Sequence, residues 1–184
     1  MFHIPNDKRA QKSADLIAQG LDKALQTKPY KDIKINDIYL NSYVSRATFY
    51  RLFDSIYDVL LYKCDIIVQE MLKGLKTKQF KNNKERGFYC VNLWLSHEIL
   101  IKTIVENLMY KLLYDVIILH KEDLQSIYGI DYKNDPNVDY FVLILVTNIM
   151  TTLFIHYNEK GKKSFEEIFE ITNTTMSNLI KTWQ

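Results

Sequence analysis

The apolar residues at the start of the chain recur at the spacing of an α-helix. One stripe, with steps of three and four residues, consists of Ala14, Ile17, Leu21 and Leu25. Asn6 or Asp7 supplies a capping side chain before this stripe, and Pro29 interrupts the pattern after Thr27. The pattern therefore predicts a first helix that begins after Asn6 or Asp7 and ends near Thr27.

Two short helices and one long helix are predicted next. The first short helix spans about residues 35–41, and residues 41–43 form a tight turn after it. Ser45 is a suitable N-cap for the second short helix, which ends near Phe53. Ser55 is a suitable cap for a long helix, in which apolar residues again recur every three or four positions.

The rest of the chain also has helical periodicity. The pattern predicts two or three helices in residues 85–127, and its clearest predicted loop is residues 128–137. Two further helices are predicted at about 138–157 and 164–182. Since every predicted element is a helix, the pattern predicts an all-α protein.

The composition agrees with this prediction. Of the 184 residues, 47% are hydrophobic and 25% are charged, which is typical of a globular protein rather than a disordered one. Five glycines and three prolines are few for this length, as expected for a chain built from helices. We expect a small three-helix head at residues 1–54 and a larger helical body at residues 55–184.

Charge and cysteine content restrict the protein class only weakly. The net charge is +2, but residues 1–55 hold nine basic and six acidic residues (9 − 6 = +3), and the remainder holds fifteen and sixteen (15 − 16 = −1). The basic excess therefore lies in the head.

Cys64 and Cys90 both lie in apolar periodic segments, which favours two thiols in a reducing compartment over a disulfide.

The sequence predicts neither a signal peptide nor a membrane-spanning helix. The first nine residues lack the apolar core of a signal peptide. The most apolar run, residues 140–157, is interrupted by threonines and an asparagine and is shorter than the ~20 residues of a spanning helix. We therefore expect a cytoplasmic protein with no membrane partner, in which this run is a buried helix.

Residues 35–53 have the proportions of a helix-turn-helix, whose second helix enters the major groove of DNA. The predicted DNA-contacting residues are Lys34, Ser45, Arg46, Ala47, Thr48, Tyr50 and Arg51. Arg46 can donate two hydrogen bonds to a guanine or bind a phosphate, and the hydroxyl groups of Thr48 and Tyr50 suit phosphate oxygens. The alternatives are that Tyr50 is ordinary packing and that Arg51 pairs with Asp37 or Asp54 in a helical protein without DNA affinity.

The segment Val-Ser-Arg-Ala-Thr-Phe-Tyr-Arg-Leu-Phe at residues 44–53 resembles the recognition helix of the TetR family of transcription regulators. Residues 53–60, Phe-Asp-Ser-Ile-Tyr-Asp-Val-Leu, are similar to a branch of that family found in low-GC Gram-positive bacteria. The chain departs from the family at Tyr43, where the family has glycine and the turn often needs a positive φ, and at Ile56, where a lysine that contacts phosphate is common. The resemblance implies a DNA-binding regulator, most simply an effector-responsive repressor.

The resemblance further implies a homodimer that binds a near-palindromic operator. The last two helices would form the interface, with Phe141, Leu145, Ile149, Phe154, Phe169 and Met176 as candidates. The body would hold a pocket for an unknown small-molecule or protein effector, with Tyr89, Trp94, His97, Tyr110 and Tyr114 as candidates because they combine aromatic bulk with polar tips. The alternatives are a helix buried within its own body and ordinary core aromatics.

We expect no enzymatic activity and no metal or cofactor. The sequence has no glycine-rich phosphate loop, and His97-Glu98 is followed by Ile101 where a zinc-binding His-Glu-x-x-His helix has its second histidine. The main alternative to a DNA-binding regulator is a helical dimer that has weak or lost DNA affinity and acts as a co-regulator through contacts with other proteins.

Overall fold

The computed structural model of the chain describes residues 2–123, 134, 136–159 and 162–182, and every regular element in this part is helical. The all-α prediction is therefore confirmed. The helices are α1 (Lys8–Thr27), α2 (Ile35–Ser42), α3 (Arg46–Leu52), α4 (Ile56–Thr77), α5 (Asn83–Leu95), α6 (Glu98–Glu106), α7 (Tyr110–Leu119), α8 (Val138–Asn158) and α9 (Phe165–Thr182). A single 3-10 turn, Tyr30–Asp32, joins α1 to α2. The loop predicted at 128–137 lies mostly outside the described residues.

Capping side chains fix where the first helices begin. The Asp7 carboxylate accepts hydrogen bonds from the backbone N–H groups of Arg9 and Ala10, each at 2.9 Å. At α4, the Ser55 hydroxyl accepts from the N–H of Asp58 at 3.2 Å, and the Asp58 carboxylate accepts from the N–H of Ser55 at 3.1 Å. These bonds satisfy N–H groups that the first turn of a helix leaves without partners, so both predicted starts are confirmed.

Gly20 allows α2 to lie directly on α1. A Cβ atom at this position would stand 2.6 Å from the backbone oxygen of Ile38 and 2.8 Å from the Cβ of Ser42. Both are closer than real Cβ contacts, and a backbone oxygen cannot rotate away. The side chain of Ile38 is fully buried in this contact, which makes α1 and α2 one packed unit.

The first helices share one continuous hydrophobic core with the body. At the junction, the rings of Phe2 and Phe53 lie 5.6 and 5.7 Å from the ring of Tyr62 on α4, measured between centroids. The Tyr62 hydroxyl donates to Asp15 of α1 at 2.6 Å, and burial raises the pKa of this phenol. Helix α1 also contacts α6, so α1–α3 are packed against the body rather than connected to it by a free linker.

In the body, α4 packs against α5 and α7, and α8 packs against α6, α7 and α9. One face of α8, which includes Val142, Val146 and Met150, is buried in this core. Helix α8 is longer than the predicted 138–157 by one residue and is more exposed than a core helix. By length and composition alone, it is the one helix of the described chain that could cross a membrane, and 28% of its most apolar window is buried.

Candidate nucleic-acid interface

A three-residue turn joins α2 to α3 and places Tyr43 in the left-handed region of backbone space. Helix α2 ends at Ser42, one residue later than predicted, and Ser45 caps α3. Tyr43 has φ 58° and ψ 22°, the positive φ expected at the position where the TetR family has glycine. A left-handed residue ends a helix by turning the chain away from the helix axis, which is why the turn begins at Tyr43 and not at the predicted Asn41.

Helix α3 has one buried and one exposed face. Phe49 and Leu52 are fully buried, and α3 packs against α1 and α2. All the predicted DNA-contacting residues are exposed except Thr48, which is half-buried. Tyr50, the alternative packing residue, has 45% of its surface exposed. The sequence pattern therefore separates the two faces of α3 correctly.

The hydroxyl groups at the start of α3 are engaged in its cap. The Ser45 hydroxyl accepts a hydrogen bond from the backbone N–H of Thr48 at 3.2 Å and lies 3.0 Å from the Thr48 hydroxyl. A hydroxyl oxygen still has a second lone pair and a rotatable hydrogen. The hydroxyl groups of Ser45 and Thr48 can therefore hold the first turn of α3 rigid. Each hydroxyl still has one hydrogen-bonding position open to a ligand.

Arg46 and Tyr50 form a stacked pair on the exposed face. The Arg46 guanidinium carbon lies 5.5 Å from the centroid of the Tyr50 ring, within the range of a cation–π contact. The two residues are one helical turn apart. The stack limits the rotamers of the long arginine side chain, so the guanidinium is held near one position without being neutralised.

Arg51 does not pair with the acids that could have neutralised it. The Asp37 carboxylate bonds to the Lys28 ammonium at 2.8 Å, and the Asp54 carboxylate bonds to Nε2 of His3 at 3.0 Å. The Lys28 hydrogen bond lowers the pKa of Asp37, and the His3 hydrogen bond lowers that of Asp54. Neither Arg46 nor Arg51 makes an ion pair with another described residue.

On the two sides of the exposed face of α3, Lys34 offers a positive charge and Ile56 does not. Lys34 is the exposed N-cap of α2, and its backbone N–H donates to Asp37 at 2.8 Å. Its ammonium group extends from a helix N-terminus, where an anion is favoured. Ile56 is half-buried and packs on the core, so the first position of α4 offers no cation to a phosphate.

The five aromatic residues predicted for an effector pocket lie in different surroundings. Tyr89 packs over Gly74, where a Cβ would stand less than 3 Å from its ring, and Trp94 is buried in the core. His97 is the N-cap residue of α6, and burial lowers its pKa. Tyr110 is exposed, and Tyr114 packs at the edge of the core. A shared pocket for the five stays a prediction.

Two clefts in the described body are lined by other residues. One of about 360 Å³ lies beside the C-terminal half of α4 and includes Lys73, Lys76 and His120. The other, of about 490 Å³, lies between α6 and the C-terminal half of α8 and includes Lys102 and Tyr157. None of the five predicted aromatic residues lines either cleft.

The outer sides of α8 and α9 carry exposed apolar side chains, which no other described residue covers. They are Tyr140, Leu143, Ile144 and Phe154 on α8 and Ile171 and Leu179 on α9. Of the candidates for a dimer interface, Phe154 is exposed, and Phe141, Leu145, Ile149, Phe169 and Met176 are half-buried. Phe169 packs within the chain, with its ring centroid 5.1 Å from that of Phe88. The alternative of a helix buried entirely within its own body does not fit α8.

Sequence reasoning missed the polar contacts that join α4 to α7. Nε2 of His120 lies 2.6 Å from the Asp65 carboxylate, with both side chains largely buried, and the Tyr57 hydroxyl donates to Asp115 at 2.9 Å. The partners are 55 and 58 residues apart in sequence. A polar residue within an apolar periodic segment was the only available signal, and it does not identify its partner.

The described residues contain no group of three or more His, Cys, Asp or Glu side chains that could hold a metal ion.

No family profile and no curated protein matches the sequence. Among solved structures, the chain is similar to the crystal structure of Lin0861 from Listeria innocua, with a TM-score of 0.74 and 17% sequence identity over 96% of each chain. At this identity, the similarity shows that the two proteins share a fold.

Proposed function

We propose that the protein is a TetR-like transcription regulator in which α2, the turn and α3 form a DNA-binding helix-turn-helix. The observation that carries the proposal is the exposed face of α3, where Arg46 and Arg51 form no ion pair with an acid of the described chain although acids lie nearby in sequence. Arginines left free on a rigid helix are suited to base edges and phosphates.

Neighbouring side chains hold Arg46 and the start of α3 in position for binding. Tyr50 holds the Arg46 guanidinium in place, and Ser45 and Thr48 cap the helix end that would enter the groove. A fixed guanidinium loses less conformational entropy when it binds a base than a mobile one does. The buried face of α3, with Phe49 and Leu52, holds the helix against α1.

A homodimer follows from the same proposal. The uncovered apolar side chains of α8 and α9 would lie against the same helices of a second copy, since a two-fold interface uses the same patch on both subunits. Two copies of α3 would then lie about 34–36 Å apart, one turn of DNA, and the operator would be near-palindromic. An effector bound in the body would act by changing this spacing, with α4 as the connection.

The DNA-binding proposal is tested by fluorescence anisotropy on a duplex from upstream of the protein's own gene, with a shuffled duplex of equal composition as reference. We expect wild type to prefer the upstream duplex, with an affinity that falls steeply as salt rises because bound phosphates release counterions. Arg46→Ala is expected to weaken binding by about 5–150-fold, equivalent to about 1–3 kcal/mol. Tyr50→Phe is expected to give a smaller loss.

Two control variants show whether the loss belongs to the α3 surface. Arg46→Lys keeps the charge but not the two-pronged hydrogen bonding, so it should recover salt dependence but not sequence preference. Arg86→Ala on α5 removes one positive charge from the body and should leave binding unchanged. Equal binding to both duplexes by wild type and Arg46→Ala would contradict the proposal and favour a co-regulator that contacts other proteins.

A further inference from the structure

Tyr43 is the most exposed large hydrophobic side chain in the described chain. It has 91% of its surface exposed, and Leu40, three residues earlier on α2, has 64%. Among the described residues, the Tyr43 ring contacts the Lys23 ammonium, which lies 5.7 Å from the ring centroid. The fold therefore gains almost no burial from this aromatic ring.

The backbone at Tyr43 is in a conformation that disfavours the residue. At φ 58° the Cβ of a bulky residue crowds the backbone, and glycine or asparagine adopts this region more readily. The chain thus combines a strained backbone with an exposed ring at the same position. Strain of this kind, without compensating contacts inside the chain, is characteristic of positions that act on a ligand.

The surroundings of Tyr43 favour an anionic partner. The Lys23 ammonium donates a hydrogen bond to the backbone oxygen of Asn41 at 3.3 Å, so a positive charge is fixed at the end of α2. Tyr43 stands two residues before Ser45, the cap of α3, and Arg46 follows. An ammonium group held over the Tyr43 ring, next along the chain to the helix that carries Arg46, suits an anionic partner, and the phosphodiester backbone is the anion that DNA offers.

We infer that Tyr43 is a DNA-contacting residue: its hydroxyl donates to a backbone phosphate next to the bases that α3 contacts, its ring packs on the adjoining sugar, and Lys23 neutralises the same phosphate. This inference rests on the proposed function. It assigns to the turn a contact that a glycine at this position could not make, and it explains why a strained tyrosine is present there.

The test compares the wild type with Tyr43→Gly, Tyr43→Asn, Tyr43→Phe and Lys23→Gln on the duplex that wild type enriches from a random 30-base-pair pool. Tyr43→Gly relieves the strain, so its Tm is expected to rise by roughly 2–4 °C while its Kd rises about 5–20-fold. Tyr43→Asn keeps a left-handed turn without the ring and is expected to weaken binding similarly. Tyr43→Phe should lose about 2–10-fold because only the hydroxyl is removed.

The salt series separates the two side chains. Lys23→Gln is expected to reduce the slope of log affinity against log salt by about one, and the Tyr43 variants should leave the slope unchanged. Leu119→Ala, which shortens an exposed apolar side chain on α7, is the control and should bind DNA as wild type does.

The outcomes distinguish this inference from the proposed function. A wild type that binds and enriches a duplex, with Tyr43→Gly and Tyr43→Asn binding equally well, would overturn the contact at Tyr43 and leave the regulator intact. A wild type that enriches no duplex would overturn the regulator and this contact together. A more stable Tyr43→Gly variant with weakened DNA binding is the result that the inference requires.

Discussion

Phe53→Ala is expected to lower the free energy of unfolding by about 3–5 kcal/mol, the range for removing a buried aromatic side chain. Phe53 is fully buried at the junction of α3 and α4, and its ring centroid lies 5.9 Å from that of Phe49 and 5.7 Å from that of Tyr62. Alanine would leave a cavity between these rings, and the surrounding helices cannot all close it because Tyr62 is also bonded to Asp15.

Urea unfolding followed by circular dichroism measures this effect. The matched control is Leu40→Ala, which also shortens a hydrophobic side chain but at a position with 64% of its surface exposed, and it should change stability by less than about 0.5 kcal/mol. Equal effects of the two substitutions would mean that Phe53 is not packed against Tyr62 of α4 in solution. A separate, earlier transition in Phe53→Ala would mean that the first three helices unfold independently of the body.

His120→Leu is expected to lower the free energy of unfolding by about 2–4 kcal/mol at pH 7, because it leaves the Asp65 carboxylate without its main partner. Asp65 is buried, and the remaining described donor to its carboxylate is Gln69 Nε2 at 2.8 Å. A buried carboxyl group with one neutral donor is poorly solvated. The double variant Asp65→Leu, His120→Leu should recover most of the loss, since it removes both polar groups.

The chain contains its own control for this prediction. His3 and Asp54 form a second histidine–aspartate contact at 3.0 Å, but the two side chains are 58% and 60% exposed, against 17% and 10% for His120 and Asp65. His3→Leu should give no measurable loss, because water solvates Asp54 when its partner is removed. Similar losses from the two single substitutions would contradict the burial of the His120 contact.

Local sequence signals were sufficient for the helices and for the faces of α3. Asp7, Ser45 and Ser55 are capping residues whose hydrogen bonds span two or three positions, so their effect on the chain is visible in the sequence. The apolar residues of α3 recur at helical spacing, which separates the buried Phe49 from the exposed Arg46. The positive φ at Tyr43 is expected only from the resemblance to the TetR family, which has glycine at this turn position.

Features that depend on contacts between distant segments were not predictable. Asp65 and His120 each look like an isolated polar residue in an apolar helix, and only the packing of α4 on α7 brings them together. Tyr89 is a candidate pocket residue because of its polar tip, but its packing on Gly74, fifteen residues earlier, has no local signal in the sequence. The partners of the outer faces of α8 and α9 would lie on another molecule, so a pattern of burial within one chain cannot identify them.

The central claim is that α3, presented twice by a dimer, selects a DNA sequence. The most direct measurement is repeated selection of bound duplexes from a random 30-base-pair pool by the purified protein, with Arg46→Ala in parallel. We predict that wild type enriches a near-palindrome whose half-site centres are about 10 base pairs, or a multiple of one helical turn, apart, and that Arg46→Ala does not. A wild-type pool that stays random, or one sequence enriched equally by both proteins, would contradict the claim.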